Sequence, residues 1–195
     1  MDFDYRGYSI LLANTGTLKE ASYDSEHGEH MTMLETPEVV LFDDASDSYA
    51  AHCGISGKCS VDALHNPCAD ALFLIEFKNG AITKAERYAI YRKIYDSLLI
   101  LSDITGLKLS DYRLHADFIL VFNRGKNQDA DARLVSISSS RALNGFADTL
   151  AYKAGKRMIY FGLEPFQGYC FRKVFTLDAD HFNAMHDMLF RRAVP

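Results

Sequence analysis

Ala71-Leu-Phe-Leu-Ile-Glu-Phe-Lys-Asn-Gly80 decides the reading of this chain. It is an apolar strand whose last residues carry a carboxylate and an ammonium two positions apart. Strand side chains alternate, so Leu72, Leu74, Glu76 and Lys78 share one face while Phe73, Ile75 and Phe77 share the other. Asn79-Gly80 breaks the strand and leaves Glu76 and Lys78 at its carboxyl end, where open α/β sheets place their ligand sites. A strand-end ion pair would explain both charges on a solvated edge. Here they continue a buried row, where a charge needs a partner.

Upstream, Lys58-Cys-Ser-Val-Asp-Ala-Leu64 alternates as a second strand, and His65-Asn-Pro-Cys-Ala69 reads as the turn that joins the two into a hairpin. Downstream, Thr83-Lys-Ala-Glu86 has capping-box spacing. Ile90, Tyr91, Ile94, Tyr95, Leu98, Leu101 and Ile104 then keep helical period until Gly106. Asp117-Phe-Ile-Leu-Val-Phe122 is a continuous apolar run of the kind buried at a sheet centre, so a strand-helix-strand crossover is expected. Further out, Gly7–Ala13, Val39–Phe42, Arg157–Phe161 and Gly168–Phe175 read as strands, with an acidic loop through Asp43, Asp44 and Asp47. A helix is expected to end over Tyr152–Lys156, and Asp178 caps a last helix through Phe190. Thr15–Met33 and Arg133–Phe146 follow no clear period. The fold class expected is a single α/β domain over residues 1–195, with a central mixed sheet flanked by helices.

The 195 residues are 48% hydrophobic and carry a formal net charge of -5, enough apolar material for a core and no basic excess of the kind that marks constitutive nucleic-acid binders. The start has no basic segment followed by an apolar one, and no apolar run approaches membrane-spanning length, so a cytoplasmic protein without a membrane partner is the expectation. Cys53, Cys59 and Cys68 cluster with His52 and His65, and His27-Gly-Glu-His30 forms a second group. Either could hold zinc, but the close Cys-x-x-Cys pair is missing and reduced, unligated side chains are expected.

Asp62 lies in the strand expected beside Ala71–Phe77, so a hairpin brings Asp62, Glu76 and Lys78 to one end of the sheet. Two carboxylates supply hard oxygen ligands for Mg²⁺, and a lysine two residues beyond can orient water or stabilise developing charge. In these residues the chain resembles the PD-(D/E)XK nuclease superfamily: Asp62 matches the aspartate and Glu76-Phe-Lys78 the (D/E)XK element, although Val61 stands where that pattern has proline. The resemblance covers about residues 58–122, a hairpin, a helix and a buried strand. It implies a restriction-endonuclease-like core and hydrolysis of DNA or RNA phosphodiesters, with Mg²⁺ or Mn²⁺ held by Asp62 and Glu76 and with Lys78 assisting. Asp70 offers a second register, but the link to Glu76 is too short for a hairpin. The superfamily often adds an acidic residue from a preceding helix, for which Glu20 and Glu35 are both available.

Arg87, Arg92 and Lys93 lie on the long helix; one could reach a phosphate, but solvated helix charges are the simpler expectation. Tyr160, Phe161, Phe166, Tyr169, Phe171 and Phe175 could stack bases and fit core packing better. No nucleophile elbow, phosphate-binding loop, dinucleotide fingerprint or His-Glu-x-x-His helix occurs. The alternative to an enzyme is a binding or regulatory protein on a degenerate form of the same fold, and a third class is a zinc-stabilised interaction domain.

Overall fold

A computed structural model describes residues 3–128 and 159–191. Along the chain it places helix α1 at Ser9–Leu12, strand β1 at Thr15–Thr17, α2 at Leu18–Ala21, and the short strands β2, Tyr23–Asp24, and β3, Glu29–His30. There follow β4 (Glu38–Leu41), α3 (Phe42–Cys53), β5 (Ala63–Cys68), β6 (Ala71–Lys78), α4 (Lys84–Thr105), α5 (Leu109–His115) and β7 (Ala116–Phe122). Beyond residue 159 come β8 (Lys173–Asp178) and a last helix, α6 (Ala179–Arg191).

Six strands form one mixed sheet in the order β1-β4-β5-β6-β7-β8, with β2 and β3 paired apart from it. Neighbours are antiparallel from β1 to β6 and parallel from β6 to β8. The parallel step needs a crossover, and α4 supplies it. Thr83 Oγ1 accepts from the backbone N–H of Glu86 at one end of α4, and Gly106, in the left-handed region at φ 74°, closes the other.

β6 is buried from Ala71 to Phe77 because both its faces are covered. Leu72 and Leu74 join a core with Val40, Phe42, Ile94, Leu101 and Phe118, beneath α3, α4 and α5. Phe73, Ile75 and Phe77 join a second core with Leu18, Val121, Phe182 and Phe190, beneath α2 and α6. Each fully buried side chain of this size contributes about 1.5–3 kcal/mol. The molecule is thus a three-layer α/β domain, and the alternation in Ala71–Lys78 assigns each residue to a layer.

Several sequence expectations are corrected. Gly7–Ala13 is not a strand: Leu11 and Leu12 donate to the carbonyl of Tyr8, and a short helix forms. Val39–Phe42 ends as a strand at Leu41. The acidic stretch after it is the first turn of α3, where Asp43 and Asp44 complement the helix dipole. Lys58–Leu64 does not pair as a strand before Ala63, because side chains of α4 take its backbone donors. Asp96 accepts from the N–H of Cys59 at 2.9 Å, and Ser97 Oγ from that of Val61 at 2.9 Å.

His65–Ala69 is not the turn either: the strand runs on to Cys68 through an irregularity at Pro67, where Asn66 Nδ2 donates to the carbonyls of Cys68 and Ala71. Phe161 and Gly162 both have positive φ (63° and 73°), and this turn ends any strand through Tyr160. The last strand begins at Lys173 rather than Gly168, which itself sits at φ 77°. The expectations for Arg133–Phe146, Tyr152–Lys156, Arg157 and Met158 fall outside the described residues.

His65, 7% exposed, packs between the rings of Phe73 and Phe190 at centroid distances of 6.2 and 4.4 Å. Burial pulls its pKa down from 6.5 to about 4. A depressed histidine contributes stability that is present above the unfolded pKa and is lost as pH falls. His65→Phe is therefore expected to flatten urea-unfolding stability between pH 6.5 and 4, a window worth about 3 kcal/mol in the wild type. An unchanged pH slope would mean that His65 already accepts a proton in the fold.

Candidate functional site

Asp62 immediately precedes β5, and the pairing of Ala63 with Ile75 sets it opposite Glu76 at the carboxyl end of β6. One of its oxygens accepts from the backbone N–H of Phe77 and locks its side chain to β6. The other, Oδ1, accepts from Lys93 Nζ at 3.1 Å. The same ammonium donates to both oxygens of Glu76, at 2.8 and 2.9 Å. Both carboxylates named from sequence are thus brought to one point, and a lysine from the middle of α4 holds them there.

Lys78 goes elsewhere: its ammonium pairs with Glu86 at 2.5 Å. The ammonium beside the two carboxylates is that of Lys93, a residue expected among the solvated helix charges. Arg92 does stay outward, beside Asp96 and the carbonyl of Gly57. The signal that identifies Lys93 is its register: Ile90, Ile94, Ser97 and Leu101 are buried, and Lys93 lies on that face of α4.

Neither candidate for the extra acidic residue reaches the pair. Glu20 closes a capping box with Thr17, and Glu35 stands in solvent 3.4 Å from Lys19. Asp43, at the start of α3, lies nearer the pair. It accepts a short hydrogen bond of 2.5 Å from Ser60 Oγ, and its charge acts on Asp62, Glu76 and Lys93. Asp70, at the opposite end of β6, faces His115.

Glu76 is 2% exposed. Burial, then the charge of Asp62, pushes its pKa well above the ordinary carboxylate range, although Lys93 opposes the shift. Burial likewise raises Asp62 to about 6 against the pull of Lys93. Lys93 moves upward too, because Glu76 and Asp62 outweigh its own desolvation, so it stays charged. Two buried acids share one ammonium, with the charge of Asp43 acting on both, and the two titrate as a unit. The raised values mean that the pair favours holding a proton.

Asp62 also lines a cleft of about 270 Å³, with Lys78, Asn79 and Gly80 on one side and Ala21–Glu26 and Met31 on the other. The turn after β6 is fixed from β7: Asn123 donates its backbone N–H to Lys78 and its Nδ2 to Asn79 Oδ1.

Cys53 is exposed, Cys59 and Cys68 are half-buried, and Cys170 is buried. Among the described residues, the one group of three or more metal-capable side chains whose donor atoms converge is Asp24, Glu26 and His27. His30, grouped with His27 in the sequence, instead bonds the carbonyl of Lys19 at 2.8 Å. Of the aromatic set, Phe166 and Phe171 are buried, Phe161 packs edge-on against Phe122, and Tyr169 is exposed.

No protein-family model, curated protein or solved structure matches the chain. Among the described residues no helix is long and apolar enough to cross a membrane.

Proposed function

We propose that the chain is a divalent-metal-dependent phosphodiesterase acting on DNA or RNA, built on a restriction-endonuclease-like core. The observation that carries this reading is the convergence of Asp62 and Glu76 on a single point beside a cleft at the carboxyl end of β6. The donor set fits Mg²⁺ or Mn²⁺, which prefer hard carboxylate oxygens and keep several waters. Asp62 and Glu76 would hold the ion. When bound, it polarises a phosphoryl oxygen and acidifies a bound water.

The chain's own groups do the rest. Asp62 is fixed by the Phe77 N–H and so presents its other oxygen without losing rotamer freedom on binding. Lys93, charged and half-buried, is the group placed to stabilise negative charge growing on the phosphate. Lys78 lines the cleft and is a second cation for the substrate backbone once it leaves Glu86.

The test is cleavage of single- and double-stranded DNA and RNA with Mg²⁺ or Mn²⁺. Glu76→Gln is expected to lower the rate by about a hundredfold or more, and Lys78→Ala by less. Circular dichroism checks that both variants are folded. A wild type inactive on all four substrates, or Glu76→Gln at full rate, overturns the reading.

One observation favours a second reading, a non-catalytic binding or regulatory protein on the same fold. Lys93 already satisfies both carboxylates and is a cation of the protein's own at the point a metal would take. On that reading Mg²⁺ leaves the melting temperature unchanged, whereas an ion that binds the folded state raises it.

A further inference from the structure

β2 and β3 pair as a hairpin that joins no strand of the six-stranded sheet. Its base is held on the side of α2 and α6. Ser22, 2% exposed, donates its N–H to Leu18 and exchanges hydrogen bonds with Thr32, whose Oγ1 donates to Asn183 of α6 at 2.6 Å. His30 adds its bond to the carbonyl of Lys19. The turn between the strands is closed by Asp24, whose Oδ1 accepts from the N–H groups of Glu26 and His27 at 2.9 and 3.3 Å. The hairpin thus holds its own shape and is anchored along one edge.

Across the cleft stands Asn79, in the break after β6 and 6% exposed. Its Oδ1 is fixed by Asn123, and its Nδ2 is directed at the Asp24 carboxylate and reaches no other acceptor. Burial pushes the pKa of Asp24 up, but this amide and His27 outweigh it and hold the carboxylate below its ordinary 3.8. Among the described residues this is the only polar contact between the hairpin and β6. Several buried hydrogen bonds therefore hold the hairpin to α2 and α6, and one contact holds it to the sheet. The side with the single contact opens first.

We propose that the hairpin of residues 23–30 is a hinged lid over the Asp62 cleft, latched shut by the amide of Asn79 on the carboxylate of Asp24 and turning on its anchored base at Ser22 and Thr32. With the latch closed the cleft holds about 270 Å³, less than the roughly 300–1,000 Å³ of pockets that enclose a drug-sized ligand. The side chains of Asp62 and Glu76 are 14% and 2% exposed. A run of nucleotides is larger than such a ligand, so it reaches these carboxylates only after the hairpin has moved. Breaking one contact while the α2 side keeps its bonds opens the cleft as a hinge, with the sheet intact. What the lid admits rests on the phosphodiesterase reading of Asp62 and Glu76; that it opens does not.

The experiment is carboxyl footprinting of the full chain with a water-soluble carbodiimide and glycine ethyl ester, read residue by residue in a mass spectrometer. Asn79→Asp keeps the oxygen that Asn123 holds and turns the latch into two facing carboxylates. It is expected to raise labelling of Asp62 at least about threefold over wild type, by shifting the population toward the open hairpin. Asp117, paired with Arg172 at the opposite end of the sheet, should label as before. Asn79→Ala removes the donor without adding charge and should give a smaller rise. Equal labelling of Asp62 in all three proteins overturns the lid. A rise matched at Asp117 overturns it too, since the whole fold would then have loosened. Cleavage of nucleic acid is scored separately: a wild type without it removes the phosphodiesterase reading, while the footprint still decides the lid.

Discussion

Replacing Lys93 with methionine is expected to destabilise the protein by about 3–5 kcal/mol at pH 8, the usual result of stripping one partner from a buried ionic cluster. The side chain keeps its length, so the loss is electrostatic: Asp62 and Glu76 are left facing each other without a cation. The sign of the pH dependence follows from their pKa values. Both are already raised in the fold, Asp62 from 3.8 to about 6, and without Lys93 they rise further.

Carboxylates with raised folded pKa bind protons in the native state that the unfolded chain releases. Their penalty therefore grows as pH climbs from the unfolded value through the folded one. The deficit of the variant should shrink at pH 5 and be largest at pH 8. Lys93 itself stays charged throughout that range, because its contribution is lost only above its ordinary 10.5. Adding Asp62→Asn and Glu76→Gln to the variant should recover most of the loss. Urea unfolding at the two pH values measures this, and an equal cost at both would show that Lys93 acts by packing alone.

The second large effect lies on the other face of the sheet. Phe73 is 1% exposed and meets Phe190 of α6 edge to face at 5.1 Å. Phe73→Ala is expected to cost about 3–5 kcal/mol through lost burial and the cavity left beneath α6. At about 2–4 °C per kcal/mol for a chain of this size, calorimetry should record a drop of about 10 °C. The pairing of Lys93 with Glu76 should be unchanged, since Phe73 packs on the opposite face of β6. A drop of a degree or two would mean that α6 settles into the space.

The elements that were legible in the sequence are those whose pattern is local. Ala71–Lys78 and Asp117–Phe122 announce themselves by apolar run length, and α4 by period, Thr83 and Gly106. The convergence of Asp62 and Glu76 was also within reach, although by a different route. Lys58–Leu64 alternates like a paired strand, whereas the backbone of its first residues is held by Asp96 and Ser97, 37 and 36 residues away from Cys59 and Val61. No local pattern encodes that.

Asp43 was hidden because a run of aspartates looks like a loop and serves equally well as the first turn of a helix. Lys93 was hidden by habit: a charged residue in a helix is assigned to water. Its register with Ile90, Ile94 and Ser97 argued otherwise. Lys78, the lysine that the sequence motif favours, illustrates the converse, since a matching spacing does not say which carboxylate an ammonium will choose.

The two faces of β6 also set different limits on how this sequence can change over time. Beneath α6 the requirements on Phe73, Ile75 and Phe77 are volume and apolarity, which many combinations of side chains satisfy together. Beneath α4, Leu72 and Leu74 form the floor on which Glu76 meets Lys93, and a shift of a few tenths of an ångström there alters hydrogen bonds as well as packing. Drift should accumulate on the α6 side and be purged on the α4 side. Descendants of this chain would then come to differ most in the half of the core that holds no charge.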